Sequence, residues 1–218
     1  GVPVGRFETR SGPLMAAGDT LTVTVTGRGG HGAHPEDATD PVAAIVAMVG
    51  ALQTIVSRNR KGTDALVLSV TQIHTGSADN IIPETGWFCA TVRSYDKAVQ
   101  DMVERRCNEI VAGIAAAMGV KAEISFERGY PATVNHEAET DFALSVAQAV
   151  SGDAGICAPV MGAEDFSFML ERRPGAYLFL GQGDSASLHH PRFDFNDAVA
   201  PIGASFFARL VEQAQPRD

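Results

Sequence analysis

The chain has 218 residues, of which 45% are hydrophobic and 20% charged, and its formal net charge is −9 at pH 7. This composition is that of an ordinary soluble globular protein with one large or two small domains, and the acidic balance argues against a nucleic-acid partner. No apolar run approaches the roughly 20 residues that cross a bilayer, so no membrane partner is expected, and three scattered cysteines favour a reducing, cytoplasmic location.

Apolar spacing and helix-end signals predict six regular elements in the first part of the chain. Asp40 followed by Pro41 is typical of a helix start, and Asp96 is a second candidate cap. Alternating polar and apolar residues over 20–26 predict a half-exposed antiparallel strand. The six elements are a strand at about 20–27, a helix at 41–57, strands at 65–75 and 86–94, a helix from Asp96 to about residue 118, and a strand at 120–126.

The order β-α-β-β-α-β is that of ferredoxin-like folds, so residues 18–128 are predicted to form a four-stranded antiparallel sheet with both helices on one face. Residues 129–218, together with 1–17, have the pattern of an α/β domain. Its elements are helices at about 137–150, 164–170 and 201–214, a Gly-Asp-Ala-Gly turn after the first helix, and one buried strand at 176–181. Because a single strand needs neighbours, we expect the other strands of this domain to precede residue 1. The start at Gly1, without a methionine, likewise suggests a beginning inside a longer protein.

A glycine-rich stretch, Gly27–Pro35 with the sequence GRGGHGAHP, separates the first strand from the first helix. Its first six residues match the G-x-G-x-x-G of dinucleotide-binding loops. We reject that interpretation, because such a loop opens directly into a helix and follows a strand that is buried on both faces. The stretch is instead interpreted as a loop that presents histidine, the side chain suited to acid–base chemistry near neutral pH.

Two places in the α/β part carry further candidate groups. His189 and His190 lie on a loop after the buried strand, where a histidine suits a metal ligand or a general base, or is an ordinary surface residue. A metal site needs three or more ligands, and neighbours in an extended chain point to opposite sides, so the pair is expected to supply one ligand. Glu164 and Asp165 place two carboxylates near a helix start, where helix capping explains them equally well.

The predicted sheet domain adds an amide and a guanidinium. Asn80 precedes Pro83 in a turn-rich connection, and Arg93 ends an otherwise apolar strand. Together these groups suit a ligand that carries a carboxylate or an amide. Taken singly, Asn80 is also a turn former and Arg93 a surface residue with a partly buried stem.

Seven short motifs follow one another along the chain. They are Gly12–Ala16 (GPLMA), Gly27–Pro35 (GRGGHGAHP), Asn80–Pro83 (NIIP), Thr91–Ser94 (TVRS), Gly129–Asn135 (GYPATVN), Met161–Phe166 (MGAEDF) and Leu188–Asp197 (LHHPRFDFND). Together they resemble the M20 family of metal-dependent peptidases and amidohydrolases, and within it the branch of hippurate hydrolases and indole-acetyl-amino-acid hydrolases. The resemblance implies a zinc-peptidase-like α/β catalytic domain interrupted by a ferredoxin-like lid, which also makes a homodimer.

The resemblance also implies roles for the candidate residues. His31 matches the lid histidine that reaches into the partner subunit's active site and stabilises the oxyanion of the tetrahedral intermediate. Asn80 and Arg93 match lid residues that hold the amide and the carboxylate of an N-acyl amino acid. His189 matches the last ligand of a centre of two divalent metal ions (zinc, manganese, cobalt or nickel). Two acidic residues match a motif that lines the site: Glu164 and Asp165.

In the resembling family the other metal ligands and the glutamate base lie N-terminal to where this chain begins. The parent protein is therefore expected to hydrolyse hippurate-like N-acyl amino acids with a metal-activated water, and the 218 residues alone to be inactive. Two alternatives stay open: a non-catalytic dimerisation module with a vestigial catalytic tail, and a small-ligand-binding domain of the ferredoxin-like regulatory type. The second gives no reason for the motifs around Glu164 and His189.

Overall fold

The computed structural model describes residues 1–215. The strands are β1 (Phe7–Thr9), β2 (Gly12–Met15), β3 (Ala17–Thr26), β4 (Gly30–His31), β5 (Leu66–Thr75), β6 (Ile81–Ile82), β7 (Thr85–Ser94), β8 (Lys121–Tyr130), β9 (Thr133–Asn135), β10 (Ala154–Ile156) and β11 (Phe179–Leu180). The α-helices are α1 (Pro41–Thr54), α2 (Lys97–Met118), α3 (Glu137–Ser151), α4 (Ser167–Leu170) and α5 (Ala200–Ala214).

The chain divides into two compact units. The middle unit, named for its place in the sequence, comprises Ala16–Ala132 and Met161–Ala163. The outer unit comprises Gly1–Met15, Thr133–Val160 and the residues from Glu164 onward. The predicted boundaries after residues 17 and 128 remain a prediction about domain organisation.

The middle unit is built on one antiparallel sheet with the strand order β5-β7-β3-β8. Its six long elements follow one another as β3, α1, β5, β7, α2 and β8, which is the predicted order of strands and helices. In the central strand β3, Leu21, Val23 and Val25 are fully buried and alternate with threonines, as expected for a strand with one covered face. α1 and α2 cover the same face, since both contribute side chains to one core with these strands.

The ends of the two long helices follow from capping chemistry. The carboxylates of Asp40 and Asp96 each accept a backbone N–H of the first turn, at 2.8 and 2.6 Å, which confirms both predicted caps. α2 ends at Gly119, whose φ of 67° is left-handed. α1 instead continues through one π-helical turn, Ile55–Asn59, and Arg60 leaves it in an extended conformation.

α1 is apolar all round. It carries no charged residue from Pro41 to Ser57. Among the described residues, Pro41–Asn59 is the one helix long and apolar enough to cross a membrane, a test that core helices of other proteins also pass. The expectation that no apolar run comes near this length is therefore wrong, and here Ile45, Met48 and Leu52 of the helix lie in the core of the middle unit.

A two-stranded arm extends the β3–β7 pair beyond the end of the sheet. It consists of Gly27–Gly32 and Asn80–Glu84. At its base the Gly27 N–H donates to the Glu84 carbonyl at 2.9 Å, β4 then pairs with β6, and near its tip the Gly32 N–H donates to the Asn80 carbonyl at 2.8 Å. The arm is therefore a continuation of the sheet by backbone hydrogen bonds.

The outer unit contains a three-stranded sheet of order β10-β1-β11 and a two-stranded ladder of β2 with β9. The ring of Phe7 in β1 lies 5.0 Å from that of Phe206 in α5, in a core completed by α3. Asn135 is buried, and its amide group donates to the Thr9 hydroxyl and to the Tyr177 carbonyl, each at 3.0 Å. These bonds tie β9 to β1 and to the segment before β11.

Two expectations for the outer unit need correction. The Gly-Asp-Ala-Gly segment, expected as a turn, contains the start of β10, and the buried strand expected at 176–181 is reduced to the two half-buried residues of β11. Whether such a short segment forms a strand depends on its pairing partners, which local sequence does not reveal.

Candidate functional site

The arm of the middle unit brings two predicted site residues together. His31 lies in β4 opposite Ile81, and the residue that follows it, Gly32, is hydrogen-bonded to the backbone of Asn80. Both His31 and Asn80 are exposed. Backbone pairing thus places a histidine and an amide at neighbouring positions of the arm, where both are exposed to solvent.

The glycines of the arm serve close approach rather than unusual backbone angles. A Cβ on Gly27 would lie 2.1 Å from the Thr39 carbonyl oxygen, and one on Gly32 would lie 3.1 Å from the Asn80 carbonyl oxygen. Neither glycine has a positive φ. Glycine is therefore needed at these two positions because two backbones touch, and not because the backbone is left-handed.

A backbone hydrogen bond determines which nitrogen of His31 can donate. Nδ1 accepts the Ala33 N–H at 3.0 Å. A neutral imidazole has one acceptor and one donor nitrogen, so this bond assigns the proton to Nε2. The neighbouring His34 ring, 5.6 Å away, lies with its own Nδ1 3.4 Å from Glu36. His31 therefore offers an N–H donor to a ligand in its neutral form.

Arg93 lies at the opposite end of the same sheet. β7 runs from Thr85, which pairs with Thr26 where the arm begins, to Arg93, which pairs with Gly18. Eight residues at a rise of about 3.3 Å each span about 26 Å. One copy of the middle unit therefore brings His31 together with Asn80 but keeps Arg93 far from both.

The guanidinium of Arg93 is held by its own strand. Its Nη1 donates to the Thr91 hydroxyl at 2.5 Å and to the Val92 carbonyl at 2.9 Å. This end of the sheet is also where the chain enters the middle unit, at Ala16, and where it leaves, at Ala132.

Glu164 of the outer unit has a tyrosine partner. The Tyr177 hydroxyl donates to its Oε2 at 3.2 Å, and the Asp165 N–H donates to its Oε1 at 3.1 Å. Burial, aided by the Glu164 charge, raises the pKa of Tyr177 to about 12, so the hydroxyl remains a donor at physiological pH. α4 begins after Phe166 without a side-chain cap, so the explanation of Asp165 as a helix cap is wrong.

His189 is exposed and has a φ of 67°, the one positive φ of a non-glycine residue within 1–215. The chain turns here, with the His190 N–H donating to the Ser187 carbonyl at 3.0 Å, so the expected extended histidine pair is wrong. His190 is engaged in a local turn, because its Nδ1 accepts the Arg192 N–H at 3.0 Å. A left-handed histidine is a strained conformation of the kind found at functional sites.

Among residues 1–215, no three histidine, cysteine, aspartate or glutamate side chains lie close enough together to hold a metal ion. A protein metal centre uses three or more ligands. The described residues therefore do not fit a complete two-metal centre, with His189 as the one predicted ligand among them.

Two polar partners of these residues escaped the sequence analysis. Thr91 contacts Arg93, and Tyr177 contacts Glu164. The Thr-x-Arg spacing was a usable signal, because residues two apart in a strand share a face. No local pattern links Tyr177 to Glu164, which are 13 positions apart.

Comparison with known proteins identifies the family of this chain. The sequence profile of Peptidase family M20/M25/M40 matches residues 11–213. The chain therefore belongs to peptidase family M20/M25/M40.

Three relatives illustrate the similarity. The hippurate hydrolase of Campylobacter jejuni is 35% identical over 209 residues, covering 94% of this chain and 54% of that protein. The N-acetyl-L-cysteine deacetylase of Bacillus subtilis is 36% identical over 214 residues, covering 98% of this chain and 51% of that protein. The crystal structure of a dinuclear metal binding peptidase of the M20 family from Bacillus subtilis superposes with a TM-score of 0.79 at 25% identity, covering 97% of this chain and 54% of that one. The chain spans about half the length of the curated relatives it matches.

Proposed function

We propose that this chain is the lid and the C-terminal catalytic portion of a metal-dependent M20 amidohydrolase that cleaves the amide bond of N-acyl amino acids. The middle unit is the ferredoxin-like lid, and it forms a homodimer. The observation that carries the proposal is the placement of His31 and Asn80 on an exposed arm, about 26 Å of strand away from Arg93. No small substrate spans that distance, so His31 and Asn80 serve the partner's site while Arg93 serves the site of its own chain.

Each of these side chains has a task that its chemistry suits. Amide hydrolysis passes through a tetrahedral intermediate with negative charge on the former carbonyl oxygen. His31 donates its Nε2–H to that oxygen, which the Ala33 hydrogen bond on Nδ1 makes possible without a charged ring. Asn80 binds the substrate amide, and Arg93 binds the carboxylate of the amino acid.

The homodimer is supported by the surface of α1 and β5. β5 is an edge strand without a charged residue, and α1 lies beside it. Val46 on the outer side of α1 is 65% exposed. A helix that is apolar all round is normally buried, and an uncharged edge strand is open to pairing with another chain. A second copy, applied through a two-fold axis, covers both.

The metal centre belongs to the complete protein in this proposal. His189 provides one ligand, Glu164 and Asp165 line the site, and the remaining ligands come from the part of the M20 protein that this chain does not span. The 218 residues alone are accordingly inactive. The description of a relative as a dinuclear metal binding peptidase supports two divalent ions.

Mixed dimers of the complete M20 protein test the proposal. His31→Ala removes the oxyanion donor and His189→Ala removes a metal ligand, so each variant alone is inactive on N-benzoylglycine with added manganese, zinc, cobalt or nickel. After equal mixing, half of the dimers are mixed and each has one complete site out of two, so about a quarter of wild-type activity returns.

Three other results would contradict parts of this proposal. No recovery in proven mixed dimers means that His31 acts within its own chain. Full activity of His189→Ala removes the metal assignment. A stable dimer that binds no metal and hydrolyses nothing supports the alternative, a dimerisation module without catalysis.

A further inference from the structure

Arg93 and Thr91 share one face of β7, because they are two residues apart in a regular strand. The Thr91 hydroxyl accepts from Nη1 at 2.5 Å, and the Val92 carbonyl accepts from the same nitrogen at 2.9 Å. Both acceptors therefore hold one corner of the guanidinium. An arginine side chain has several freely rotating bonds, so two anchors on one nitrogen remove much of its freedom before any ligand arrives.

The neighbouring strand β3 lies directly beside this guanidinium. Gly18 pairs with Arg93, and a Cβ there would lie 3.5 Å from Nη1, 3.6 Å from Cζ and 3.1 Å from the Cβ of Ala163. A Cβ at this position would touch the guanidinium at an ordinary van der Waals distance, so the guanidinium lies directly against the β3 backbone.

The anchored geometry leaves a defined edge for recognition. A guanidinium has five N–H donors, and the two hydrogen bonds described use only those of Nη1. Nε and Nη2 form the edge on the other side, and a pair of parallel N–H groups is the geometry that binds a carboxylate through both oxygens.

We propose that Thr91 is a positioning residue: its hydroxyl fixes the Arg93 guanidinium so that the Nε–Nη2 edge faces the substrate carboxylate. This inference rests on the proposed function, in which Arg93 binds that carboxylate. Thr91 does not touch the substrate. Its loss frees the guanidinium to rotate, and this weakens recognition of the carboxylate without changing the chemistry at the amide.

Kinetics of the complete M20 protein test the proposal with Thr91→Val, which keeps the shape and removes the hydroxyl, and Thr91→Ser, which restores it. We expect Thr91→Val to raise KM for N-benzoylglycine about tenfold with kcat within about twofold, and Thr91→Ser to stay within about twofold of wild type in both. The specificity constant for N-benzoylglycinamide, which lacks the carboxylate, should be the same in all three proteins.

A spectroscopic readout on the 218-residue chain separates positioning from general damage. In wild type, restricted rotation should give Arg93 distinct nitrogen-15 signals for Nη1 and Nη2 at low temperature. Thr91→Val should merge them, and Thr91→Ser should keep them apart. Thermal unfolding of the three chains verifies that the fold is intact.

The contrary outcomes are distinguishable. If Thr91→Val leaves KM unchanged while Arg93→Lys raises it, the positioning role is wrong and the proposed function stands. An equal loss on N-benzoylglycine and N-benzoylglycinamide, or unmerged Arg93 signals in Thr91→Val, also overturns it. If Arg93→Lys itself does not change KM, the carboxylate-binding part of the proposed function fails.

Discussion

The two edges of the middle sheet differ in charge although they belong to the same layer. β8 carries four charged residues among its ten, and the adjacent α2 carries six among its 22. β5 and the adjacent α1 carry none. On the β8 side the charges pair with one another, as Arg128 does with Asp101 and Glu104.

The difference indicates what each edge faces. Charged side chains on an edge strand oppose pairing with another chain, because a second strand would bury them. The β8 edge therefore has the composition of a surface that stays in water. The β5 edge lacks this protection, and Val46 and Ile73 near it are at least half exposed. A sheet with one charged edge and one uncharged edge suits a closed two-fold dimer rather than an open polymer.

The largest effect is expected from a charge placed on α1. Val46→Glu puts a carboxylate where the proposed dimer would bury it without a partner, so the dimer dissociation constant should rise at least about 100-fold. Sedimentation at several concentrations measures it. The matched control is Ala112→Glu, an exposed position of α2, which should leave the dimer unchanged. Equal weakening by the two variants would contradict the assignment of the interface.

The second largest effect is expected at the charged β8 edge, where removing charge should allow association. Replacing Glu123 and Glu127 of β8 with valine removes two of its four charges and raises its strand propensity. The double variant should form species larger than a dimer as concentration rises, measured by light scattering. Glu109→Val, on α2 and away from the edge, controls for loss of charge alone. A double variant that stays dimeric would show that the charges of β8 do not prevent association at this edge.

A smaller effect concerns Asp19, a buried carboxylate of β3 at a position that pairs with β8. Gln100 donates to both of its oxygens at 2.9 Å, and the Gly129 N–H lies 3.3 Å away. Burial nevertheless raises its pKa above the usual 3.8, against the lowering effects of these bonds. The folded chain therefore holds this proton more tightly than the unfolded chain, and the free energy of unfolding should fall as pH rises from 3.8 through the raised pKa.

Urea unfolding of wild type and Asp19→Asn across the acidic range checks this sign. The stability difference between the two proteins should move in favour of Asp19→Asn as pH rises through that interval, and it should then level off. Parallel curves across the whole range would mean that Asp19 titrates as it does in the unfolded chain.

The smallest effect is expected from Arg128→Ala. Its ion pairs with Asp101 and Glu104 lie at the surface, where such pairs contribute about 0.5 kcal/mol. Chemical denaturation should show a loss below about 1 kcal/mol and sedimentation no change in assembly. Arg105→Ala, which loses a comparable pair with Glu109, is the control. A loss of several kcal/mol in the free energy of unfolding would show that Arg128 is essential to the structure of this edge.

The middle unit was largely predictable because its elements are long and their signals local. Asp40 and Asp96 lie directly before the helices they cap, and the threonine alternation in β3 identifies one covered face. The arm was not predictable. Its two halves are about 50 positions apart, and only backbone pairing of β4 with β6 brings Asn80 beside His31.

The outer unit was harder because its strands are short and come from distant segments. β1 pairs with β10, which lies about two thirds of the chain length further on, and neither strand has more than three residues. The strand–turn ambiguity of Gly155 could not be resolved without that partner. His189 was correctly identified as a loop residue, but its left-handed φ depends on the turn that follows it and has no sequence signature.

Backbone amide hydrogen exchange of the two edges in one sample tests the proposed dimer most directly. We expect the outward-facing amides of β5 to be protected at high protein concentration and to lose protection on dilution. Those of β8 should exchange rapidly at every concentration. If β5 and β8 exchange alike, or if β8 is the edge whose protection follows concentration, then the dimer is not made through β5 and α1, and the delivery of His31 and Asn80 to a partner's site loses its basis.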